Sequence, residues 1–320
     1  MFSTHSLSIG YKKRRHNVSV QQHLDLQLRG SELVCLIGPN GCGKSTLLRT
    51  LAGLQPPLAG AVAVDGKNIF ALSAHEKSLV LSTVLTEYID IENTTVRQIV
   101  AMGRQPHTSW WGALSRDDRA KTDSALQLVH LQDKADIFIN ELSDGERQRT
   151  FIAKALAQDT PHIFLDEPTA HLDLPNRIEI MLLLHELAHK TGKAILLSTH
   201  ELDIALQAAD RIWLMDKNLA MKTGVPEDLV IDGSFGLTFN NPHYYFNTSN
   251  GNFSMNYPLN KDISIAGEST RLYWTLRALA RNGFRATQNA HTKIEVTEKG
   301  WVLDGICFDR IESLLTALKM

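Results

Sequence analysis

Cysteine is scarce in this sequence of 320 residues, which holds only Cys35, Cys42 and Cys307. An odd and sparse count does not supply a disulfide framework, and it favours a reducing compartment. No stretch approaches the ~18 uninterrupted apolar residues of a membrane-spanning helix. The first residues, MFSTHSLSIGYKKRRH, also lack the apolar core of a signal peptide. We therefore expect a soluble chain, for which any work at a membrane requires another subunit that crosses it.

An excess of positive charge is missing as well. The 33 lysines and arginines are balanced by 35 aspartates and glutamates, so the net charge of −2 gives no indication of bulk nucleic-acid binding. Hydrophobic residues make up 43% and charged residues 21%, as in a folded globular protein. At about 150 residues per domain, the length predicts two domains.

Short strands and helices alternate along the first part of the chain. Strand patterns in residues 4–36 lead into a glycine-rich loop, and LLRTLAGL then follows with helical spacing. Residues 94–158 are mostly helical in pattern. Two apolar runs of strand length, at 161–166 and 193–199, flank a helix that ends at Gly192. This alternation predicts an α/β fold with a parallel sheet covered on both faces.

The composition changes near residue 232, where a segment rich in Asn, Gly and aromatic residues begins. We therefore predict one domain over residues 1–232 and a small C-terminal α+β domain over residues 233–320. No motif attaches chemistry to the second domain, which leaves open a stabilising or dimerising extension and a regulatory or ligand-sensing one. Its predicted elements are a strand (Asp262 to Ala266), a helix (Thr270 to Arg281), two strands (Lys293 to Val296 and Gly300 to Asp304) and a helix (Asp309 to Leu318).

The glycine-rich loop fits the phosphate-binding pattern G-x-x-x-x-G-K-[ST]. Its glycines let backbone N–H groups approach a β-phosphate, and the helix that begins at Lys44 points its positive end at the same charge. Lys44 would reach the β- and γ-phosphates, and the Ser45 hydroxyl would bind Mg²⁺. The residues predicted to hold ATP here are Gly38, Pro39, Asn40, Gly41, Cys42, Gly43, Lys44, Ser45 and Thr46.

A second acidic centre follows the apolar run Ile163-Phe164-Leu165. Asp166 and Glu167 end this run, where ligands bind at the carboxyl edge of a parallel sheet. Asp166 suits the Mg²⁺ shell. Glu167 points elsewhere and can act as the general base for the attacking water.

The motif Leu-Ser-Asp-Gly-Glu-Arg-Gln, at residues 142–148, is more specific. It resembles LSGGQ, the signature of the ABC ATPases, and its residues are Ser143, Asp144, Gly145 and Glu146. Because it stands at the start of a predicted helix, it is also an anion-binding helix end. Ser143 and Glu146 fit an ordinary capping box too, and the two roles can coexist.

The remaining motifs follow in the order that ABC ATPases have them. Thr169 to Asp173 resembles the D-loop, with Asp173 as its acid and His171 as an unusual member. His200 stands where the family has its γ-phosphate sensor, and Tyr11 stands where an aromatic residue stacks on adenine. The resemblance covers residues 1 to about 232, and it implies a P-loop NTPase core with a helical subdomain.

The resemblance also implies partners. In this family, two ATPase subunits pair head to tail, so that each ATP, with its Mg²⁺, lies between Lys44 of one copy and Ser143 of the other. We thus expect a homodimer that drives an integral membrane permease and, indirectly, an extracytoplasmic substrate-binding protein, with no nucleic acid involved. The expected location is cytoplasmic and peripheral, on the inner face of the cell membrane.

The type of transporter is indicated by residues 94–107, TTVRQIVAMGRQPH. This stretch resembles the start of the helical subdomain in importers of ferric siderophores, haem and cobalamin, where it meets the permease. We expect a ferric siderophore importer. The alternatives are a haem or cobalamin importer, or a soluble ABC ATPase such as the Fe–S assembly type.

One motif departs from the family pattern. Importers of this kind usually end a strand in L-A-x-L-P-Q, whose Gln binds Mg²⁺ and senses the permease. Here the corresponding stretch runs from Leu81 to Glu87, with Thr86 at the position of the Gln. A hydroxyl or a carboxylate can bind a hard divalent cation. We therefore predict that Thr86 or Glu87 takes the role; the alternative is that neither side chain reaches the metal and a water molecule fills the position.

Overall fold

The computed structural model describes two compact units within the chain. The first unit comprises residues 1–240 with 246–252, and the second comprises 241–245 with 253–320. In the described part of the chain, no helix is both long enough and apolar enough to cross a membrane. The described ranges are 1–12, 17–85, 93–108, 112–218, 220–268, 270–288 and 290–319.

The first unit is built from short strands and helices in alternation. Its strands are β1 (Phe2–Lys12), β2 (Asn17–Leu24), β3 (Gln27–Leu28), β4 (Leu33–Ile37), β5 (Ala59–Val64), β6 (Lys67–Asn68), β7 (Leu81–Val84), β8 (His162–Asp166), β9 (Ala194–Ser198), β10 (Arg211–Leu214) and β11 (Lys222–Gly224). Its helices are α1 (Lys44–Leu51), α2 (Ala74–Val80), α3 (Val96–Met102), α4 (Arg116–Leu128), α5 (Asp144–Ala157), α6 (Leu174–Thr191), α7 (Leu202–Ala208), α8 (Pro226–Ile231) and α9 (Ser234–Phe239).

A six-stranded sheet in the order β11-β10-β4-β9-β8-β7 forms the centre of this unit. All neighbours in it are parallel except the edge strand β11, which runs antiparallel. Every residue of β4 and β9 is buried, as expected for apolar strands covered on both faces. The predicted parallel sheet is confirmed. Its order places the carboxyl ends of β4, β9 and β8 side by side.

An antiparallel sheet, in the order β2-β1-β5-β6 with β3 also paired to β1, packs against the central sheet. A common core joins the two sheets and helix α1. Phe2, Leu36, Leu47 and Trp213 all lie within it with almost no exposed surface. The helix that follows the phosphate loop is therefore anchored on its inner side by apolar burial.

Helices α3, α4 and α5 form the helical part, and residues 94–107 hold it together. A Cβ atom at Gly103 would lie 2.2 Å from the Lys154 carbonyl oxygen, so only glycine allows α3 to end so close to α5. The buried Arg104 guanidinium donates to the Asp118 carboxylate at 2.9 Å and to the Ala157 carbonyl oxygen at 2.7 Å. Close helix packing therefore explains the glycine in this stretch, and the buried ion pair explains the arginine that follows it.

The Arg104–Asp118 pair should dominate the stability of the helical part. Hydrogen bonds from Ser115, and then from Arg104, lower the pKa of Asp118 from 3.8 to about 2. Its carboxylate therefore stabilises the fold above about pH 4, and the contribution is lost as the pH falls towards 2. Asp118→Asn leaves a buried guanidinium without its counter-charge, which costs about 3–5 kcal/mol.

We expect this loss to lower the thermal unfolding midpoint at neutral pH by at least about 6 °C. The matched control is Asp123→Asn on the same helix, whose partner Arg97 is 44% exposed. Because an exposed pair contributes at most about 1 kcal/mol, that change should leave the midpoint close to wild type. Equal effects of the two substitutions would contradict the assignment.

The second unit is a small α+β fold. Its sheet has the order β15-β14-β16-β17-β18. The sheet shares a core with residues of both helices, including Leu279 and Leu314, and Trp301 donates its indole N–H to the Thr275 hydroxyl at 2.7 Å. The elements are β14 (Lys261–Ala266), α10 (Thr270–Arg281), β15 (Phe284–Thr287), β16 (Lys293–Val296), β17 (Trp301–Leu303), β18 (Ile306–Phe308) and α11 (Ile311–Ala317). A hairpin of β12 (Tyr244–Asn247) and β13 (Asn252–Met255) precedes them, with its residues divided between the units.

Sequence patterns predicted both helices of this unit and three of its five sheet strands. They missed β15 and β18, which have four and three residues. Strands this short carry too little alternation to be distinguished from turns.

Candidate phosphate-binding and hydrolytic site

The loop between β4 and α1 has the geometry that phosphate binding requires. Gly41 and Gly43 have φ angles of 71° and 110°, in the region that favours glycine. A Cβ atom at Gly38 would lie 2.1 Å from the Met215 carbonyl oxygen. Helix α1 begins at Lys44 as predicted, and no side chain among the described residues caps its N-terminus. Its first N–H groups therefore remain available for a phosphate.

Lys44 lies buried within this loop. Its Nζ atom donates to the carbonyl oxygens of Gly38 at 2.9 Å and Pro39 at 3.5 Å. Burial lowers the pKa of Lys44, while the nearby Cys42, Glu167 and Asp166 raise it. Burial disfavours the charged form of the ammonium. The negative charge of a phosphate beside it would stabilise that form. Cys42 is buried, and burial raises the pKa of its thiol, so it fills space rather than acting as a reactive thiolate.

Oxygen atoms from the start of α1 and from the ends of two strands converge beside the loop. The Ser45 hydroxyl, at the start of α1, lies 3.4 Å from Asp166 Oδ1 at the end of β8. The Ser198 hydroxyl, at the end of β9, donates to the same Oδ1 atom at 2.6 Å. Hydroxyl and carboxylate oxygens are the hard donors that Mg²⁺ takes in proteins, so the donor set at this point fits that ion.

Glu167 and His200 form a close pair at the same edge. His200 Nε2 lies 2.6 Å from Glu167 Oε1. Glu167 has a φ angle of 51°, which is uncommon for a residue with a side chain, and its N–H donates to the Ser198 hydroxyl at 3.0 Å. A φ angle of this sign is sterically unfavourable for glutamate. Such strain is often found at functional sites.

Tyr11 lies on β1, and its hydroxyl approaches the start of α1. Its hydroxyl is 2.5 Å from the hydroxyl of Thr46, and half of its side-chain surface is exposed. An exposed ring held beside the phosphate loop is consistent with the predicted contact to adenine, which stays a prediction. Pro39 and Asn40 lie at the outer turn of the loop.

The signature residues stand at the N-terminus of α5, as the sequence predicts. Ser143 caps the helix, and its reciprocal hydrogen bonds with Glu146 complete a capping box. A hydrogen bond from the Lys134 ammonium is the largest cause that lowers the pKa of Glu146. Ser143 and Glu146 therefore cap α5. The first turn of this helix, which includes Asp144, can still face an anion with its N-terminus.

The signature is packed against the segment that contains Asp173. A Cβ atom at Gly145 would lie 2.3 Å from Asn176 Oδ1, and Asn176 donates to the Asp173 carboxylate at 2.6 Å. Asp173 is also the N-cap of α6. The same contacts thus fix the positions of α5 and α6.

The sequence prediction and the structure do not correspond at three residues of the site. Thr86 and Glu87 lie outside the described residues, so their predicted contact with Mg²⁺ stays a prediction. Ser198 was missed as a site residue, although its hydroxyl joins Asp166 to the backbone of Glu167. Its signals in the sequence were its place at the end of an apolar run of strand length and its position two residues before His200.

The parallel sheet, the phosphate loop and the acidic pair beside it define a P-loop ATPase. Comparison with known proteins adds the family. Residues 21–170 match the model of the ABC transporter family, and residues 260–319 match the iron ABC transporter C-terminal domain. The chain belongs to the family of ABC transporter ATP-binding proteins, whose members are ATPases that power transport.

This chain is similar to several transport ATP-binding proteins, and it covers more than half of the length of each. A probable siderophore transport system ATP-binding protein of Bacillus subtilis is 37% identical over 71% of this chain and 82% of the relative. The achromobactin transport ATP-binding protein of Dickeya dadantii is 36% identical over 74% and 87%. A cobalamin import ATP-binding protein of Halobacterium salinarum is also 37% identical, over 66% of this chain but 53% of the relative.

A solved structure has the same fold and a bound product. It is the dimeric post-hydrolysis state of the ATP-binding cassette MJ0796 bound to ADP and phosphate. The two chains superpose with a TM-score of 0.60 at 27% identity, over 71% of this chain and 99% of the other. The predicted ABC ATPase fold is therefore confirmed.

Proposed function

We propose that this ATPase energises the import of ferric siderophores through a membrane permease. The observation that carries the proposal is the match of residues 260–319, within the second unit, to a C-terminal domain of iron ABC transporters. Relatives named for siderophore transport match 71% and 74% of this chain and share most of their own length with it. The cobalamin relative shares only about half of its length with this chain, which favours an iron complex as the transported solute.

The phosphate end of ATP would occupy the loop between β4 and α1. Backbone N–H groups of the loop and the Lys44 ammonium would bind the β- and γ-phosphates. Ser45 and Asp166 would hold Mg²⁺, which supplies neutralisation of the phosphate charge when bound. Ser198 fixes the Asp166 carboxylate in its orientation.

Glu167 would then take a proton from the water that attacks the γ-phosphorus atom. His200, 2.6 Å from the Glu167 carboxylate, orients that carboxylate and can hydrogen-bond to the γ-phosphate. Both side chains are partly exposed, at 31% for Glu167 and 42% for His200, so the site is open on one side. An open phosphate site is consistent with completion by a second copy of the chain.

The signature of that second copy would close the site. The helix N-terminus behind Ser143 presents N–H groups to an anion. Within the described part of one chain, hydrogen bonds and ion pairs join residues 143–146 to each other, to Lys134 and to neighbouring residues of α5. We infer a head-to-tail homodimer on the inner face of the membrane, with a permease and, through it, an extracytoplasmic substrate-binding protein.

Uptake by cells tests the proposed substrate. The chromosomal gene is exchanged for its Glu167→Gln form, and entry of radiolabelled iron bound to hydroxamate or catecholate siderophores is measured beside labelled haem and cobalamin. We expect at least one siderophore to lose uptake while haem and cobalamin enter at the wild-type rate. The matched control is Glu186→Gln, an exposed position on α6.

The other outcomes assign the alternatives. Loss of haem or cobalamin uptake alone would replace the siderophore assignment. Retention of all uptake, with an Fe–S scaffold rather than a polytopic permease recovered in pull-down of the tagged chain, would contradict a role in transport.

A further inference from the structure

Two histidines and an aspartate meet on the first unit, away from the phosphate loop. His185 and His189 stand one turn apart on α6, and Asp210 directly precedes β10. One ligand atom from each of the three lies within 4.8 Å of the others. From these positions we propose a binding site for one divalent transition-metal ion, such as Zn²⁺, Ni²⁺ or Co²⁺, held by His185, His189 and Asp210.

The distances are close to those of a loaded site. Asp210 Oδ1 lies 3.1 Å from His189 Nε2 and 3.8 Å from His185 Nε2, and the two imidazole centroids are 4.4 Å apart. Ligands around a tetrahedral ion with bonds of 2.0–2.1 Å stand about 3.3 Å apart. Small rotations of two side chains would therefore bring the three atoms into coordination.

The aspartate is held in place by the sheet. Its Oδ2 atom accepts a hydrogen bond of 2.7 Å from the N–H of Leu33, and its own N–H donates to the Leu33 carbonyl oxygen at 3.0 Å. Oδ1 therefore stays directed at the histidines. An outer hydrogen bond that orients a ligand in this way is typical of metal sites.

The chemistry of the set selects the class of ion. Two imidazoles with one carboxylate suit borderline divalent transition metals, whereas Mg²⁺ prefers oxygen donors alone. The histidines are 43% and 45% exposed, so an ion can enter and water can complete its coordination. Histidines at positions i and i+4 of a helix are a known metal-binding spacing.

The site lies at the amino ends of the parallel strands, whereas the phosphate loop lies at their carboxyl ends. Asp210 neighbours Leu33, the first residue of β4, whereas the phosphate loop follows Ile37 at the other end of that strand. The Cα atoms at the two ends of this five-residue strand stand about 13 Å apart. A metal ion bound here would therefore tie the last turns of α6 to the start of β10 without contact with ATP.

Metal binding by the full chain, without an affinity tag and without nucleotide, tests the proposal. The chain is titrated with CoCl₂, NiCl₂ and ZnCl₂ in millimolar Mg²⁺, which occupies oxygen-only sites. We expect one ion per chain and a rise of several degrees in the thermal unfolding midpoint with ZnCl₂. His185→Ala and His189→Ala should each weaken this binding at least tenfold.

Asp210→Asn should weaken it as well, while its amide oxygen keeps the hydrogen bond from Leu33. The matched control is His75→Ala, an exposed histidine on α2, which should bind as wild type. Bound Co²⁺ should give visible d–d bands without the intense near-ultraviolet band of a thiolate ligand. The absence of that band would exclude the exposed Cys307 as a ligand of the ion. No ion bound by the wild type, unchanged affinity in all three variants, or a thiolate band would each overturn the proposal. In the first case, the cluster is only a hydrogen-bonded pair at the end of α6.

Discussion

Replacement of Glu167 by glutamine is expected to lower ATP turnover by about 10²–10⁴-fold, the usual contribution of a general base. An amide cannot accept a proton from the attacking water, but it keeps the size of the carboxylate. The phosphate loop and Lys44 lie on other elements, so nucleotide affinity should not fall. The expected product of the change is a stable ATP-bound dimer, detected by gel filtration with ATP and Mg²⁺ and by steady-state release of phosphate.

Two further variants sharpen the test of Glu167. Because His200 lies 2.6 Å from Glu167, the two residues should act as a unit. The loss in a Glu167→Gln/His200→Ala double variant should therefore be much smaller than the product of the single losses. Glu186→Gln should hydrolyse ATP as wild type. Wild-type turnover in Glu167→Gln would remove Glu167 from the role of base.

Mixing two inactive variants is expected to restore ATP-driven dimerisation. Lys44→Ala removes the buried ammonium that would bind the phosphates, so this chain alone should lose nucleotide affinity. Ser143→Arg fills the N-terminus of α5 and should block the partner's site instead. A heterodimer of the two retains one intact site, made from Lys44 of the second chain and Ser143 of the first.

The measurement uses both variants in a Glu167→Gln background, because the ATP-bound dimer then accumulates. Each variant alone should remain monomeric with ATP, and the equimolar mixture should yield dimer. Ser73→Arg is the matched control, since Ser73 and Glu76 form the same capping box on α2. It should lose a similar capping energy of about 1 kcal/mol and still dimerise. Absence of dimer in the mixture would contradict a site shared between two chains.

Local patterns were sufficient to predict most of the elements that carry chemistry. The phosphate loop, the start of α1 at Lys44 and the cap of α5 at Ser143 all lie within a few residues of their own signal. Glycine at positions 41 and 43 is required by the positive φ angles of the loop, which makes the motif visible without a fold. The parallel sheet followed from the alternation of strand and helix patterns.

Contacts between distant residues were decided only by the tertiary structure. Ser198 reaches Asp166 because β9 lies beside β8, and strand order is a property of the whole sheet. Arg104 finds its partner Asp118 only once α3 and α4 pack together. His189 and Asp210 are likewise 21 residues apart and come together only because β10 starts beside the last turns of α6. A sequence shows the period of each element, whereas the partner of each side chain depends on how these elements pack in the folded chain.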